Sequence, residues 1–365
     1  MNLTDLNISQ NGDEYIAIVG KRMFKIDYLF YNIIEKIKQN NSLTTAIDNV
    51  AKQNNLSPIE LSVSFNKFIT EINKSYKTRE SYIKCRLSLC SERVVIILSK
   101  LFRPLFNTTI FWFLIILGTV ISIVFATMDD RAQINIDFFN SYQLLTLSSL
   151  CFIFTFFHEI GHASASYQMG CPASNIGMGV YIFFPVFFTD VSRIWTLPKR
   201  KRLLVNIGGI YFQLLINILL ILGYFLIKND SVKEWFLYLF ASNSVVITTS
   251  LLPFFRNDGY WIVSDLLGIP NLLKQSDIWI SRALIGRIEH RNPKIIIFAI
   301  LNQLFRLWII SKIILAILQI ISDCIYSPSL SSNLNSIIWG ILLLVALYLM
   351  CVTQIKKTIR YAKRK

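Results

Sequence analysis

A chain of 365 residues that is 53% hydrophobic and carries 27 phenylalanines is too apolar for a soluble protein of its size. Its mean hydropathy of +0.49 comes from long apolar blocks, which excludes a soluble enzyme and leads us to expect a mostly α, polytopic helical membrane protein. The net charge of +15 could serve nucleic acid, but the Lys and Arg residues partition by loop, as membrane orientation requires and a nucleic-acid face does not, so no nucleic-acid partner is expected.

Residues 1–75 have mixed polarity and no run of membrane length. The stretches 14–19 and 22–26 alternate apolar and polar residues around Gly20-Lys21, which predicts a tight hairpin. Helices are expected at 28–39, 43–53 and 58–73, the last opened by Ser57, Pro58 and Glu60 as cap, first helical residue and capping-box partner. A hairpin followed by three short helices reads as a small α+β, winged-helix-like cytoplasmic domain. From 76 to 107 the chain is a basic, partly amphipathic connector, in which Lys84, Arg86, Arg93, Lys100 and Arg103 alternate with apolar residues. It suits the cytoplasmic membrane surface.

Apolar blocks of the roughly 20 residues that cross a bilayer follow at 108–128, 143–167, 203–227, 235–255, 295–321 and 334–354. About six transmembrane helices are therefore expected in a membrane domain over 108–354, followed by a basic tail over 355–365. Basic clusters such as Lys199, Arg200, Lys201 and Arg202 fall in alternate loops, which places both termini in the cytoplasm and the protein in the cell membrane. No cleavable signal peptide is expected at the N-terminus. The six cysteines show no paired spacing and read as small core residues. Arg306 and Lys312 lie within the fifth block, either lining an aqueous site or, for Arg306, reaching the surface from a span that begins later.

Within the second block stands His158-Glu159-Ile160-Gly161-His162, which uses two of only three histidines in the chain. A helix puts residues i and i+4 on one face, so the two imidazoles can share a metal ion, and Glu159 is placed to act as general base toward a metal-activated water. Ionisable residues at membrane depth are costly unless they have a function. One zinc ion per chain is the expected cofactor, and a catalytic zinc needs a third protein ligand. His290 sits among cations, and Asp190 and Asp265 are weakly placed. Asp258 is better placed, at the cytoplasmic end of the fourth block, after the helix-breaking Pro253 and before Gly259.

These residues resemble the site-2 protease family of intramembrane zinc metalloproteases, over about residues 148–268. The resemblance implies that His158, His162 and Asp258 bind zinc and that Glu159 is the general base. Where that family often has Gly-Pro-x-x-Asn in the next span, this chain has Gly209-Ile210-Tyr211-Phe212-Gln213, so Gln213 becomes a candidate oxyanion or substrate contact. Residues 177–190 are apolar, aromatic and too short to span, and resemble the strand segment with which such proteases hold an extended substrate.

By pattern, residues 12–75 resemble a PqqD-like domain, the recognition element that captures leader peptides of ribosomally made modified peptides by strand addition. Leader capture would then use the strand Arg22, Met23, Phe24, Lys25 and Ile26; DNA binding and a purely structural role suit the same module. The sequence thus suggests a membrane zinc endopeptidase that cleaves a precursor peptide delivered by its own N-terminal domain, beside the lipid bilayer and a peptide-modifying enzyme or exporter. The rival readings are a regulatory intramembrane protease cutting a transmembrane anchor, such as that of an anti-sigma factor, and a non-catalytic zinc-bound scaffold.

Overall fold

The structure, a computed structural model, describes residues 7–11, 14–19, 22–39, 42–77, 83–128, 141–181, 184–286, 292–326 and scattered helical positions between 340 and 359. It divides into two compact units, residues 1–251 and 252–365. The boundary falls inside the expected membrane segment, and the expected soluble domain and connector both lie in the first unit.

The first unit begins with an antiparallel sheet of β1 (Asn7–Asn11), β2 (Glu14–Val19) and β3 (Arg22–Ile26) in that order. β2 and β3 form the expected hairpin, closing with Val19 opposite Arg22; β1 is an addition, and it leaves β3 as an edge strand. Helices α1 (Tyr28–Lys38), α2 (Leu43–Gln53) and α3 (Pro58–Lys77) follow. Asp27 accepts a hydrogen bond from the Tyr28 N–H and Ser42 from the Thr45 N–H, satisfying donors that helix N-termini leave open. Apolar residues three and four apart, among them Ile33, Ile34, Ile47, Val50, Leu61 and Phe65, close a core that belongs to this module alone.

The basic connector carries more structure than its composition announced. β4 (Ile83–Cys90) pairs with β5 (Ile176–Tyr181), which pairs with β6 (Phe184–Thr189), in a second antiparallel sheet of order β4-β5-β6. The expected short apolar segment is therefore a hairpin, and the connector supplies its third strand. Helix α4 (Glu92–Phe102) buries Val95 and Ser99 and leaves Ile97 and Leu101 exposed.

Helices α5 (Thr108–Ala126), α6 (Ser141–Gln168), α7 (Lys199–Leu226) and α8 (Asp230–Leu251) complete this unit. Together with α11 of the second unit, α5, α6 and α7 are the four described helices long and apolar enough to cross a membrane. α8, expected as a span, is diluted by Ser242, Asn243, Ser244, Thr248, Thr249 and Ser250 and does not meet that measure. Most of the sixth expected span lies outside the described residues. α6 and α7 meet through glycines. A Cβ on Gly161 would stand 2.3 Å from the Gly208 carbonyl oxygen, and one on Gly208 would stand 2.8 Å from that of Gly161. Small residues that let backbones approach this closely are the means by which membrane helices associate without a hydrophobic driving force.

The second unit contains α9 (Asp258–Leu267), α10 (Leu272–Ala283) and α11 (Pro293–Tyr326), packed around Tyr260, Ile269, Leu272, Ile295 and Phe298. Arg306 of α11 donates to Asp277 of α10 at 3.0 Å, with side-chain exposures of 19% and 8%. The guanidinium in the fifth apolar block is thus neutralised by a carboxylate, and the helix can carry it.

Removing one partner of such a pair strands a charge, whereas an apolar pair of similar volume is close to neutral. We expect Asp277→Leu to destabilise the protein by about 3 kcal/mol and Asp277→Leu with Arg306→Leu to recover most of that loss. Reversible denaturant titration in detergent measures both; a double variant no more stable than the single one contradicts the pairing.

Candidate metal centre

His158 and His162 occupy successive turns of α6, one face of which presses on α7. Both are buried, and their Nε2 atoms lie 3.0 Å apart. Two nitrogens bound to one tetrahedral zinc at 2.0–2.1 Å are separated by roughly 3.3 Å, so the pair converges at the spacing that one ion requires. Glu159 is half-buried and joins them: a ligand atom from each of the three residues lies within 4.8 Å of the others.

The tautomer of His162 follows from its second nitrogen. Nδ1–H donates to the Val205 carbonyl oxygen of α7 at 2.8 Å, and a neutral imidazole protonated at Nδ1 keeps its lone pair on Nε2. Such a hydrogen bond on the far nitrogen fixes both ring orientation and the ligating atom of metal-bound histidines. Space for an ion is provided by Gly209, also on α7. A Cβ there would fall 2.4 Å from His158 Nε2 and 2.5 Å from His162 Nε2, on the point where the two lone pairs meet. Donor chemistry, tautomer and vacant volume therefore all fit a small divalent cation such as zinc.

The centre is deep. His158 lies ten residues before the α6 C-terminus at Gln168, and Gly209 ten residues after the α7 N-terminus at Lys199, in each case about 15 Å of helix. Beside it runs β6, whose Thr189 Oγ1 donates to the Glu159 carbonyl oxygen at 3.0 Å. Phe187 packs on Phe152 and Phe156 of α6, with ring centroids 4.3 and 5.3 Å away. The outer edge of the β4-β5-β6 sheet is thereby held at the turn of α6 that carries the glutamate.

Of the other candidates, Gln213 is fully buried on α7, one turn beyond Gly209. Asp258 is the first residue of α9 in the second unit and half-buried there. Asp265 is buried in the same helix, Asp190 follows β6, and His290 lies outside the described residues. Arg22, Met23, Phe24, Lys25 and Ile26 form β3, the edge strand of the N-terminal sheet. Sequence reasoning missed Val205, Gly209 as the vacancy, and Thr189. The Gly208-Gly209 pair inside an apolar helix was the available signal.

Comparison with known proteins adds one relative. The chain is 25% identical over 114 residues to a protein of Bacillus subtilis (strain 168) provisionally named peptide zinc metalloprotease protein YydH; the match covers 31% of this chain and 44% of the relative. The chain thus spans less than half the length of the curated relative it matches. No family model matches the chain. No solved structure matches it either.

Filling the gap at Gly209 is the sharpest check on the metal position. Gly209→Ala should lower zinc affinity tenfold or more, as measured by competition with a chromogenic chelator, while helix content is retained. Unchanged zinc affinity in this variant would place the ion elsewhere.

Proposed function

We propose that the protein is a membrane-embedded zinc endopeptidase of the site-2 protease type, which cleaves a ribosomally made precursor peptide. The observation that carries this reading is the pair of converging Nε2 atoms with an adjacent carboxylate, one tautomer fixed by Val205 and a vacancy left by Gly209. The similarity to a relative named as a peptide zinc metalloprotease supports the same class.

In this reading His158 and His162 would hold the zinc, and the family resemblance makes Asp258 the candidate third ligand. The ion supplies Lewis-acid chemistry, polarising the scissile carbonyl and acidifying water. Glu159 accepts the proton of the attacking water and returns it to the leaving amine nitrogen, a transfer its carboxylate can make because it is beside the two ligands yet not needed as one. The β6 edge beside Glu159 offers unpaired backbone groups to an extended substrate, which must unwind because a helix hides its peptide bonds. Gln213, leaning toward the N-terminal end of its helix as helical side chains do, covers the Gly209 turn and can donate to the oxyanion.

The N-terminal module would capture the leader of the precursor by adding it as a strand to β3. Three strands, three helices and a private core are the features that suit this role. The bilayer, and a modifying enzyme or exporter acting on the same peptide, complete the set of partners.

Glu159 is proposed as a base and not a ligand, so Glu159→Gln should retain zinc at the wild-type stoichiometry and lose at least about a hundredfold in cleavage rate. Metal analysis alongside a processing assay reads both quantities. Undiminished cleavage would remove Glu159 from the chemistry and favour a scaffold or another base.

Leader capture is tested separately, because proline removes a backbone donor and distorts an edge strand. Met23→Pro and Lys25→Pro should both slow processing of the precursor and leave zinc content unchanged. Cleavage that survives deletion of residues 1–75 would transfer the protein to the class that cuts transmembrane anchors.

A further inference from the structure

Along α7, Asn206, Gly209, Gln213 and Asn217 recur at spacings of three and four residues and so share one face of an otherwise apolar helix. The glycine marks the metal position, and the amides lie on either side of it. Gln213 is completely buried, and neither its Nε2 nor its Oε1 meets a hydrogen-bond partner among the described residues. Unsatisfied amides are costly at membrane depth, where no water compensates them.

The surroundings of Gln213 are nonetheless highly ordered. Asn243 of α8 donates through Nδ2 to the Gln213 backbone carbonyl at 2.9 Å and to Asn217 Oδ1 at 2.7 Å. Asn217 Nδ2 in turn donates to Ser122 of α5 at 3.3 Å and to Ser244 of α8 at 3.2 Å. Both hydrogens of Asn243 are thus spent on α7. That assigns its Oδ1 as the remaining acceptor, and this atom is buried and unpartnered among the described residues. Three helices therefore cooperate to hold the Asn217 and Asn243 side chains, while the Gln213 amide and Asn243 Oδ1 are left unfilled among the described residues.

We propose that Gln213 and Asn243 together form a receptor for the backbone of one extended substrate residue, with Gln213 Nε2 donating to its carbonyl and Asn243 Oδ1 accepting from its N–H, which point to the same side of an extended chain. This rests on the zinc peptidase reading. The complement of an unfilled donor and an unfilled acceptor is a residue whose own N–H and C=O are free, which an unwound segment presents and a helix does not. The receptor therefore recognises main chain rather than side chains, one turn of α7 from the metal. Asn217, Ser122 and Ser244 are positioning residues that set the orientation of Asn243.

The test uses short peptide hydroxamates, which anchor on the zinc, in matched forms whose successive backbone amides are replaced one at a time by esters that lack the N–H. Calorimetry on the full-length protein in detergent should show about tenfold weaker binding for one of the esters, the loss of a single buried hydrogen bond. Asn243→Leu should bind that ester and its amide equally and retain its zinc. Asn243→Ser, the smaller perturbation, should do the same. Equal amide and ester binding by wild type at every position overturns the receptor, as does a preference that persists in both variants. Loss of zinc from both variants overturns it too, since Asn243 would then be holding the bundle together. Wild-type protein that holds no zinc overturns the underlying metal reading, and zinc analysis separates that outcome from the others.

Discussion

The contact between Gly161 and Gly208 sets the distance on which the metal centre depends. With no side chain on either residue, the backbones of α6 and α7 approach until the carbonyl of one glycine would touch a Cβ of the other. That approach brings the Val205 carbonyl within 2.8 Å of His162 Nδ1 and puts Gly209 opposite both Nε2 atoms. Wider spacing would free the His162 ring to rotate, and a side chain at residue 209 would fill the place of the ion. Packing and ligation are one constraint here, because the same helix pair provides the histidines, the hydrogen bond that orients one of them and the vacancy between them.

A membrane interior makes that constraint stricter. Polar atoms there must be paired within the protein or have a purpose. The Arg306–Asp277 pair and the chain of amides and hydroxyls from Ser122 through Asn217 to Asn243 follow the first alternative in part, with Arg306 Nη1 and Asn243 Oδ1 left unpartnered among the described residues. Gln213 departs furthest from both, since its backbone carbonyl is bound while its side-chain amide has no partner among the described residues. A substrate backbone that supplied the missing partners would turn a cost of the empty protein into binding energy.

Much of this was legible in the chain because the signals were local. Helical periodicity marked α1, α2 and α3, with a start signal for the last, and a turn between alternating stretches marked the β2–β3 hairpin. Two histidines four apart announced the metal site, since their proximity needs only one turn of helix. What could not be read is non-local. β4 pairs across a separation in sequence that includes two membrane helices, and its basic, amphipathic composition suits a surface connector equally well. Val205, Gly209 and Asn243 matter because of which helix they meet. The four described helices that meet the membrane measure, against six apolar blocks, show the limit of counting: α8 is long enough but carries polar residues, of which Asn243 and Ser244 bond to α7.

Strand edges and buried amides answer the same physical difficulty. A peptide entering the centre as a helix would present only side chains, its carbonyls and N–H groups already paired. Cleavage requires one carbonyl to be exposed to a nucleophile, so several backbone hydrogen bonds must be exchanged for others before reaction begins. β6 is held at Glu159 by Thr189, and Gln213 stands one turn beyond Gly209 on α7. Each offers main-chain partners, the first as a strand and the second as an amide. Because these contacts ignore side-chain identity, selectivity must come from elsewhere, and a separate module that holds a leader would supply it without burdening the site. In the proposed function, capture outside the bilayer and backbone recognition within it would divide the task between them.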